Sequence, residues 1–511
     1  MSQSARGIGV VLVTIAASLA VFAAMQLAAV AKAGWVFEYP LDDPYIHLAI
    51  GEQIAAGGYG INPGEYASAA SSALYPLLLA PMADWQLAPL VWNMVGLVAA
   101  AWLFARIMIE SGFAARFPRA VWLAALAPLA VNLPGLAFTG MEHTLHAAAS
   151  LAILLGVLRV AQGRGIGLML VAGVFLAPAL RLEGLGLALL AAVAVAFLRG
   201  VIPAVGLAAT ALVPVAGFIA FLTARGIGPL PSSVMAKTGD GGMADASLAD
   251  RLMATFSNNM ETVPGIMLGL MTLFALLAGL RADDRTSSTI ALVAGLAGVA
   301  HLFLGQVGWL NRYEGYVALT LAGALLATAP FQTALRPLMV WGSGAVLAVM
   351  GAAYTMDFAR VGFWAPRGIY LQHAQMARFI RDYYPHDVAA NDVGRIAWQN
   401  PNHVLDIWGL ASDTARKARL AGQGAWASDL VRADGAGLAM IYADHLDGAF
   451  EGWTKLGDLQ LKYPRGFLGG DAMQFYATRA ETVAPLRSAL AQFAPTLPEG
   501  VRFFEAPEVG S

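Results

Sequence analysis

The stretch EYPLDDPYIHLAIGEQIAAGGYGINPGEY, residues 38–66, directly follows an apolar run from Ile8 to Ala31. A helix of about 20 residues spans roughly 30 Å, the thickness of a bilayer's hydrocarbon core, so that run is long enough to cross a membrane. Asp42 and Asp43 then stand at or just outside the bilayer surface. Arg6 and the small residues of VAKAG resemble a secretory leader, but the apolar run exceeds the roughly 7–15 residues of a signal core. It reads as a retained first span.

Working outward, the chain has 511 residues, of which 58% are hydrophobic and 13% charged. Soluble domains carry roughly a quarter charged residues. Mean hydropathy is +0.63, and apolar segments recur through the first 355 positions. These features define a polytopic α-helical membrane protein with about eleven spans, at 8–31, 88–109, 120–138, 143–161, 165–180, 184–198, 201–223, 263–280, 289–307, 315–333 and 337–355. Pro128, Pro134 and Pro178 interrupt some of them. A net charge of −2 gives no sign of nucleic acid, and the absence of cysteine excludes disulfides and thiolate metal sites. Membrane lipid is the expected surrounding.

Arginine placement orients the spans. Arg6, Arg106, Arg116, Arg119, Arg159, Arg164, Arg199, Arg281, Arg285 and Arg336 share one side, taken as cytoplasmic with the N-terminus. The loop 32–87 and the other acidic clusters share the opposite side. From residue 356 the composition changes, and 356–511 holds fifteen of the 31 basic and seventeen of the 33 acidic residues. GIYLQHAQMARFIRDYYP reads as an amphipathic helix; DVAAND, HVLDIWG and GLAMIYAD read as buried strands. The chain thus divides into a membrane domain, 1–355, and a soluble α/β domain, 356–511, on the outer side.

On that side Asp43 before Pro44 predicts a capped helix from Pro44 to about Ala56, lying along the membrane surface. Asp42 has no such structural duty, and a carboxylate near hydrocarbon is costly. GGYGINPGE lacks the spacing of a nucleotide loop and reads as a turn. FTGMEHTLHAA brings Glu142, His143 and His146 within one helical turn, as part of a site, a metal centre, or a helix capped by Thr139. ALRLEGLG places Arg181 and Glu183 together, GPLPSSVMAKTG places Lys237 after a proline-punctuated loop, and GWLNRYEGY places Arg312 and Tyr313 at the mouth of a span. Carboxylates and cations converging on one membrane face suit chemistry between an anionic lipid headgroup and a hydroxyl nucleophile. Clustering at one surface, rather than at the midplane, weighs against the rival reading, a transporter or flippase of lipid-linked or small solutes.

DDPYIHLAIGEQIAAGGYGINPGE, TGMEHTLHA, RLEG, LPSSVMAKTG and NRYEGY resemble, in order, the outer-face motifs of GT-C-fold glycosyltransferases. Within these, the mycobacterial terminal arabinofuranosyltransferase subgroup is similar, also over MARFIRDYYPHDVAANDVGRIAWQNPNHVLDIWGLAS. RLEG replaces RPEG, and His47 stands where the subgroup usually has a small hydroxyl residue. The resemblance implies a polyprenyl-phosphate-linked sugar donor, arabinofuranose or another pentose or hexose, and a glycan or lipid-linked acceptor. It also implies a periplasmic active site in the bacterial inner membrane. Asp42 would be the general base and Asp43 its support, with Lys237, Arg312 and Arg181 on the donor phosphate and Glu142, His143, Glu183 and Tyr313 around the substrate. Inverting transfer of this kind needs neither a redox cofactor nor ATP; a divalent metal ion is left open.

Overall fold

The computed structural model describes residues 3–117, 121–229, 246–330, 336–446 and 448–507. Each of the eleven apolar segments holds helix over most of its described residues. Among the described residues, seven helices are long and apolar enough to cross a membrane: Gly7–Lys32, Ala88–Glu110, His143–Ala161, Val201–Ala224, Val263–Leu280, Arg285–Leu304 and a run beginning at Leu338. Three more, Leu168–Leu180, Gly184–Arg199 and Gly315–Thr328, are apolar but shorter. The remaining segment is broken into Val121–Ala130 and Leu133–Phe138, with Asn132 between them in the left-handed conformation at φ 59°. Pro128 and Pro178 are accommodated inside helices, whereas Pro134 opens one. The chain is a membrane protein by these helices.

The short Gly315–Thr328 helix is buried along its whole length. A helix apolar on every face belongs inside other helices, and this one packs against His143–Ala161 and Arg285–Leu304. Val201–Ala224 is the opposite case, with few of its apolar residues covered.

The helices sort their charges to two ends. At one end Glu110 receives Arg106, Arg159 and Arg164 at 2.6, 2.7 and 2.9 Å, and Arg199 donates to the Arg164 carbonyl at 2.8 Å. At the other end lie Asp42, Asp43, Glu142, Arg181, Glu183 and Arg312, with the C-terminal domain above them.

That domain begins at the helix pair Ala365–Leu371 and His373–Asp382, broken at Gln372 where one continuous helix is expected. Its six-stranded sheet comprises β1 (Val388–Ala390), β2 (Val404–Asp406), β3 (Leu438–Ile441), β4 (Thr454–Leu461), β5 (Ala472–Ala477) and β6 (Val501–Glu505). The order is β2-β1-β3-β5-β4-β6. β1 runs parallel to β2 and β3, and the remaining pairings are antiparallel. The three expected strands are β1 to β3.

The helix Asp43–Ala55 forms where expected, but it does not lie open on a membrane surface. Pro44 through Gly51 are all buried. Tyr75 and Leu79 cover part of it, and Val393, Ile396 and Trp398 of the C-terminal domain join it in one apolar core. Its apolar residues are matched by protein on more than one face, which a surface helix would leave to lipid and water. Loop 32–87 is therefore the seat on which the soluble domain rests.

Candidate active site

The site begins with the two aspartates. Asp42 occupies the position before the helix in helical conformation, φ −76° and ψ −28°, and no side chain caps that helix. The residue at the cap position is thus Asp42, not Asp43, which is the first residue of the helix. Asp42 accepts hydrogen bonds from the backbone amides of Gly394 at 2.5 Å and Arg395 at 2.9 Å. It also faces His373 Nδ1 at 3.0 Å. Amides at the start of the Gly394–Ala397 turn suit an anion. A side chain at Gly394 would not fit: its Cβ would stand 2.3 Å from the Asp42 carbonyl oxygen.

Asp43 turns the other way, and its carboxylate meets Arg312 Nη1 at 2.6 Å. The Asp43 side chain is 27% exposed and that of Arg312 only 4%. The loop that presents Arg312 is strained. Trp309, Leu310 and Asn311 are all left-handed, at φ 48°, 61° and 58°, a conformation costing about 1–2 kcal/mol per ordinary residue. Glu314 holds the loop in place: it accepts from Gly308 N at 3.0 Å and from the Tyr354 hydroxyl at 2.9 Å.

Behind this pair lies a second ionic group. Arg181 donates Nη1 to Glu142 and Nη2 to Glu183, both at 2.7 Å. His47 Nε2 is 3.6 Å from the other Glu142 oxygen. Glu142 stands at the start of His143–Ala161 without capping it, while Thr139 accepts from the Met141 amide at 3.3 Å and donates to the Leu136 carbonyl at 2.7 Å in the turn before the helix. The Tyr313 ring connects the groups, with the Arg181 guanidinium 5.5 Å and the Arg312 guanidinium 5.2 Å from its centre. His143 lies 6.2 Å from the same ring. His146 instead packs on Tyr316 at 4.4 Å.

Asp42, Asp43, Glu142, His143, Arg181, Glu183, Arg312 and Tyr313 therefore gather at one end of the helices, although they are scattered over some 270 positions of sequence. Lys237 and its whole motif lie outside the described residues. Among the described residues no group of three His, Asp or Glu side chains is disposed to hold a metal ion.

Asp42 thus has three hydrogen-bonding partners, all in the C-terminal domain, and Asp43 is the more exposed of the two carboxylates, 27% against 13%. Arg181 has both its terminal nitrogens on carboxylates, whereas Arg312 meets one.

The C-terminal sheet domain supplies residues that the sequence did not single out. His373 Nε2 lies 3.3 Å from the Tyr442 hydroxyl and 3.5 Å from Asp392. Arg395 reaches Glu38 at 3.4 Å, and burial pushes the Glu38 carboxyl up from its usual range against the pull of Arg395. The signal available was a histidine and two glutamines, Gln372 and Gln375, on the buried side of an amphipathic helix.

A family model described as a domain of unknown function (DUF8728) matches residues 366–476. That segment contains His373, Asp392, Arg395 and Tyr442, and none of the membrane-domain residues of the site. No curated protein and no solved structure matches the chain.

Proposed function

We propose that the protein is an inverting glycosyltransferase of the bacterial inner membrane, with its C-terminal domain in the periplasm. It transfers a sugar from a polyprenyl-phosphate carrier to a hydroxyl of a glycan or lipid-linked acceptor. The observation that carries this reading is the Asp43–Arg312 pair, a partly exposed carboxylate against a buried guanidinium where the membrane helices meet the C-terminal domain. A lipid-borne donor can reach such a boundary laterally.

In the reaction, Asp43 takes the proton of the acceptor hydroxyl as its oxygen bonds to the anomeric carbon. The bond from that carbon to the phosphate oxygen breaks, and its electron pair leaves on polyprenyl phosphate. In-line displacement puts nucleophile and leaving group on opposite faces of the sugar. The closed ion pair must then open, with Arg312 exchanging Asp43 for the donor phosphate and so uncovering the base. A guanidinium suits this exchange because it binds two oxygens of either group. Arg181, held by Glu142 and Glu183, fixes the floor against Tyr313.

The test is donor turnover by purified protein in lipid nanodiscs, read as release of polyprenyl phosphate. Arg312→Ala should lower kcat/KM by about ten- to a hundred-fold, the worth of a hydrogen bond to a charged group, about 1.5–3 kcal/mol. Because leaving-group charge grows in the transition state, kcat should fall as well as KM rise. Wild-type protein that turns over no polyprenyl-phosphate sugar, yet moves a solute across proteoliposomes, would replace this reading with transport.

A further inference from the structure

A cleft of about 290 Å³ opens where loop 32–87 meets the C-terminal domain, lined among others by Glu38, Gln375, Arg378, Arg381, Arg395 and Thr496. Three guanidinium groups thus share one cavity with a single lining carboxylate. Arg378 is built in: Nε donates to Gln375 Oε1 at 3.0 Å, Nη2 donates to the Thr496 carbonyl at 3.2 Å, and the group stacks over Phe493 at 4.9 Å. Among the described residues no carboxylate lies within ion-pair distance of it, although its charge, after that of Arg381, helps to hold the nearby Asp382 carboxyl below its usual range. Arg381 is paired only with the exposed Asp382, at 2.8 Å. Arg395 joins this cleft to the candidate active site, since its backbone amide binds Asp42 while its guanidinium faces Glu38.

We infer that this cleft is a subsite for an anionic sugar of the acceptor, a carboxylate- or phosphate-bearing residue of a glycan. The inference rests on the glycosyltransferase reading for the word acceptor, and on the cleft itself for the charge. A held guanidinium without a partner carboxylate binds an oxyanion with little ordering cost. Gln375 and Glu38 are themselves engaged, Gln375 by Arg378 and the Tyr370 carbonyl and Glu38 by Tyr45, Gln86 and Arg395, so the guanidinium groups are what the cleft offers a ligand. A sugar seated there presses on Arg395, and the Gly394–Arg395 amides hold Asp42, next to Asp43. Occupancy of the cleft would therefore be felt at the reacting end, favouring acceptors that carry the charge some distance from the attacked hydroxyl.

The experiment is calorimetric titration of the full chain in zwitterionic nanodiscs with tetragalacturonate, maltotetraose as the neutral control, and inorganic phosphate. Tetragalacturonate should bind, more weakly as salt rises, and maltotetraose should bind at least tenfold more weakly. Phosphate should compete with tetragalacturonate. Arg378→Ala should weaken tetragalacturonate about tenfold. The half-exposed Arg381→Gln, which removes the charge at the cleft rim, should weaken it in the same direction. Equal affinity for the acidic and neutral sugars, or wild-type binding in both variants, overturns the inference. So does binding confined to vesicles containing phosphatidylglycerol, which would make the cleft a lipid-headgroup site. Charge-selective binding in a protein with no transferase activity would sink the enzymatic reading and leave an anionic-glycan site.

Discussion

Adjacent aspartates with different partners should respond differently to the same substitution. Asp43→Asn keeps an oxygen for Arg312 and loses basicity, so transfer by the folded fraction should drop by about 10²–10⁴-fold, beyond any loss of stability from leaving the Arg312 guanidinium without its counter-charge. Asp42→Asn instead sets a carboxamide against two backbone amides and His373, contacts worth about 1.5–3 kcal/mol each to a charged acceptor. Its effect should be a lowered melting temperature and partial activity in the surviving fold. Gly394→Ala should copy Asp42→Asn, because its methyl group would strike the Asp42 backbone. Thermal unfolding and turnover measured on the same preparations separate the roles. A stable but inactive Asp42→Asn beside an active Asp43→Asn would return the base to Asp42.

At the scale of elements, the seat and the domain are joined along the edge strand β2. Asn62 donates to the Val404 carbonyl at 3.0 Å and accepts from its amide at 2.9 Å, so one carboxamide takes the place of a neighbouring strand. Beside it His403 lies 3.2 Å from Asp434 and 3.5 Å from Glu65, and Asp387 accepts from the His403 amide. Asp434 and Glu65 hold the His403 imidazole well above its usual 6.5, up to about 10. A raised folded-state value means stabilisation present in full below about pH 6.5, declining from there, and lost as pH rises through about 10. The difference in melting temperature between wild type and His403→Gln should thus be largest near pH 6 and vanish above pH 10. At low pH, protonation of Glu65, whose carboxyl lies below its usual range despite burial because of His403 and Asn62, should weaken the same joint. A difference that grows from pH 7 to pH 10 would show that His403 does not bind as a cation.

For the whole molecule, the separation of the Glu110 arginine cluster from the aspartate end is a prediction about topology. The chain has no cysteine, so single cysteines report cleanly. Ala56 and Ala115 are exposed, at the two different ends. With the orientation proposed, Ala56→Cys reacts with an impermeant maleimide in intact spheroplasts, and Ala115→Cys only after permeabilisation. Asp283→Cys, also exposed, should follow Ala115. The reverse pattern would put the soluble domain and the aspartates in the cytoplasm, away from a periplasmic acceptor.

What the sequence by itself determined was local. Apolar length set the helices, the Asp-Pro pair began the helix at Asp43, and the change in composition after residue 355 announced a separate sheet domain. Each of these depends on residues near one another in the chain. The sequence also picked out Asp42, Asp43, Glu142, Arg181, Glu183 and Arg312 as one group, because polar residues are conspicuous in apolar surroundings. Only the tertiary structure decided their partners. Asp42 and Asp43 are chemically identical and adjacent, and nothing local says that one meets Gly394 while the other meets Arg312. Likewise the Arg181–Glu183 pair is legible from two neighbouring residues, but Glu142 is brought to Arg181 only from another helix. His373 and Arg395 stayed hidden because they lie in a domain that looks complete by itself. Their role exists only where that domain settles onto loop 32–87, through contacts between residues more than 300 positions apart.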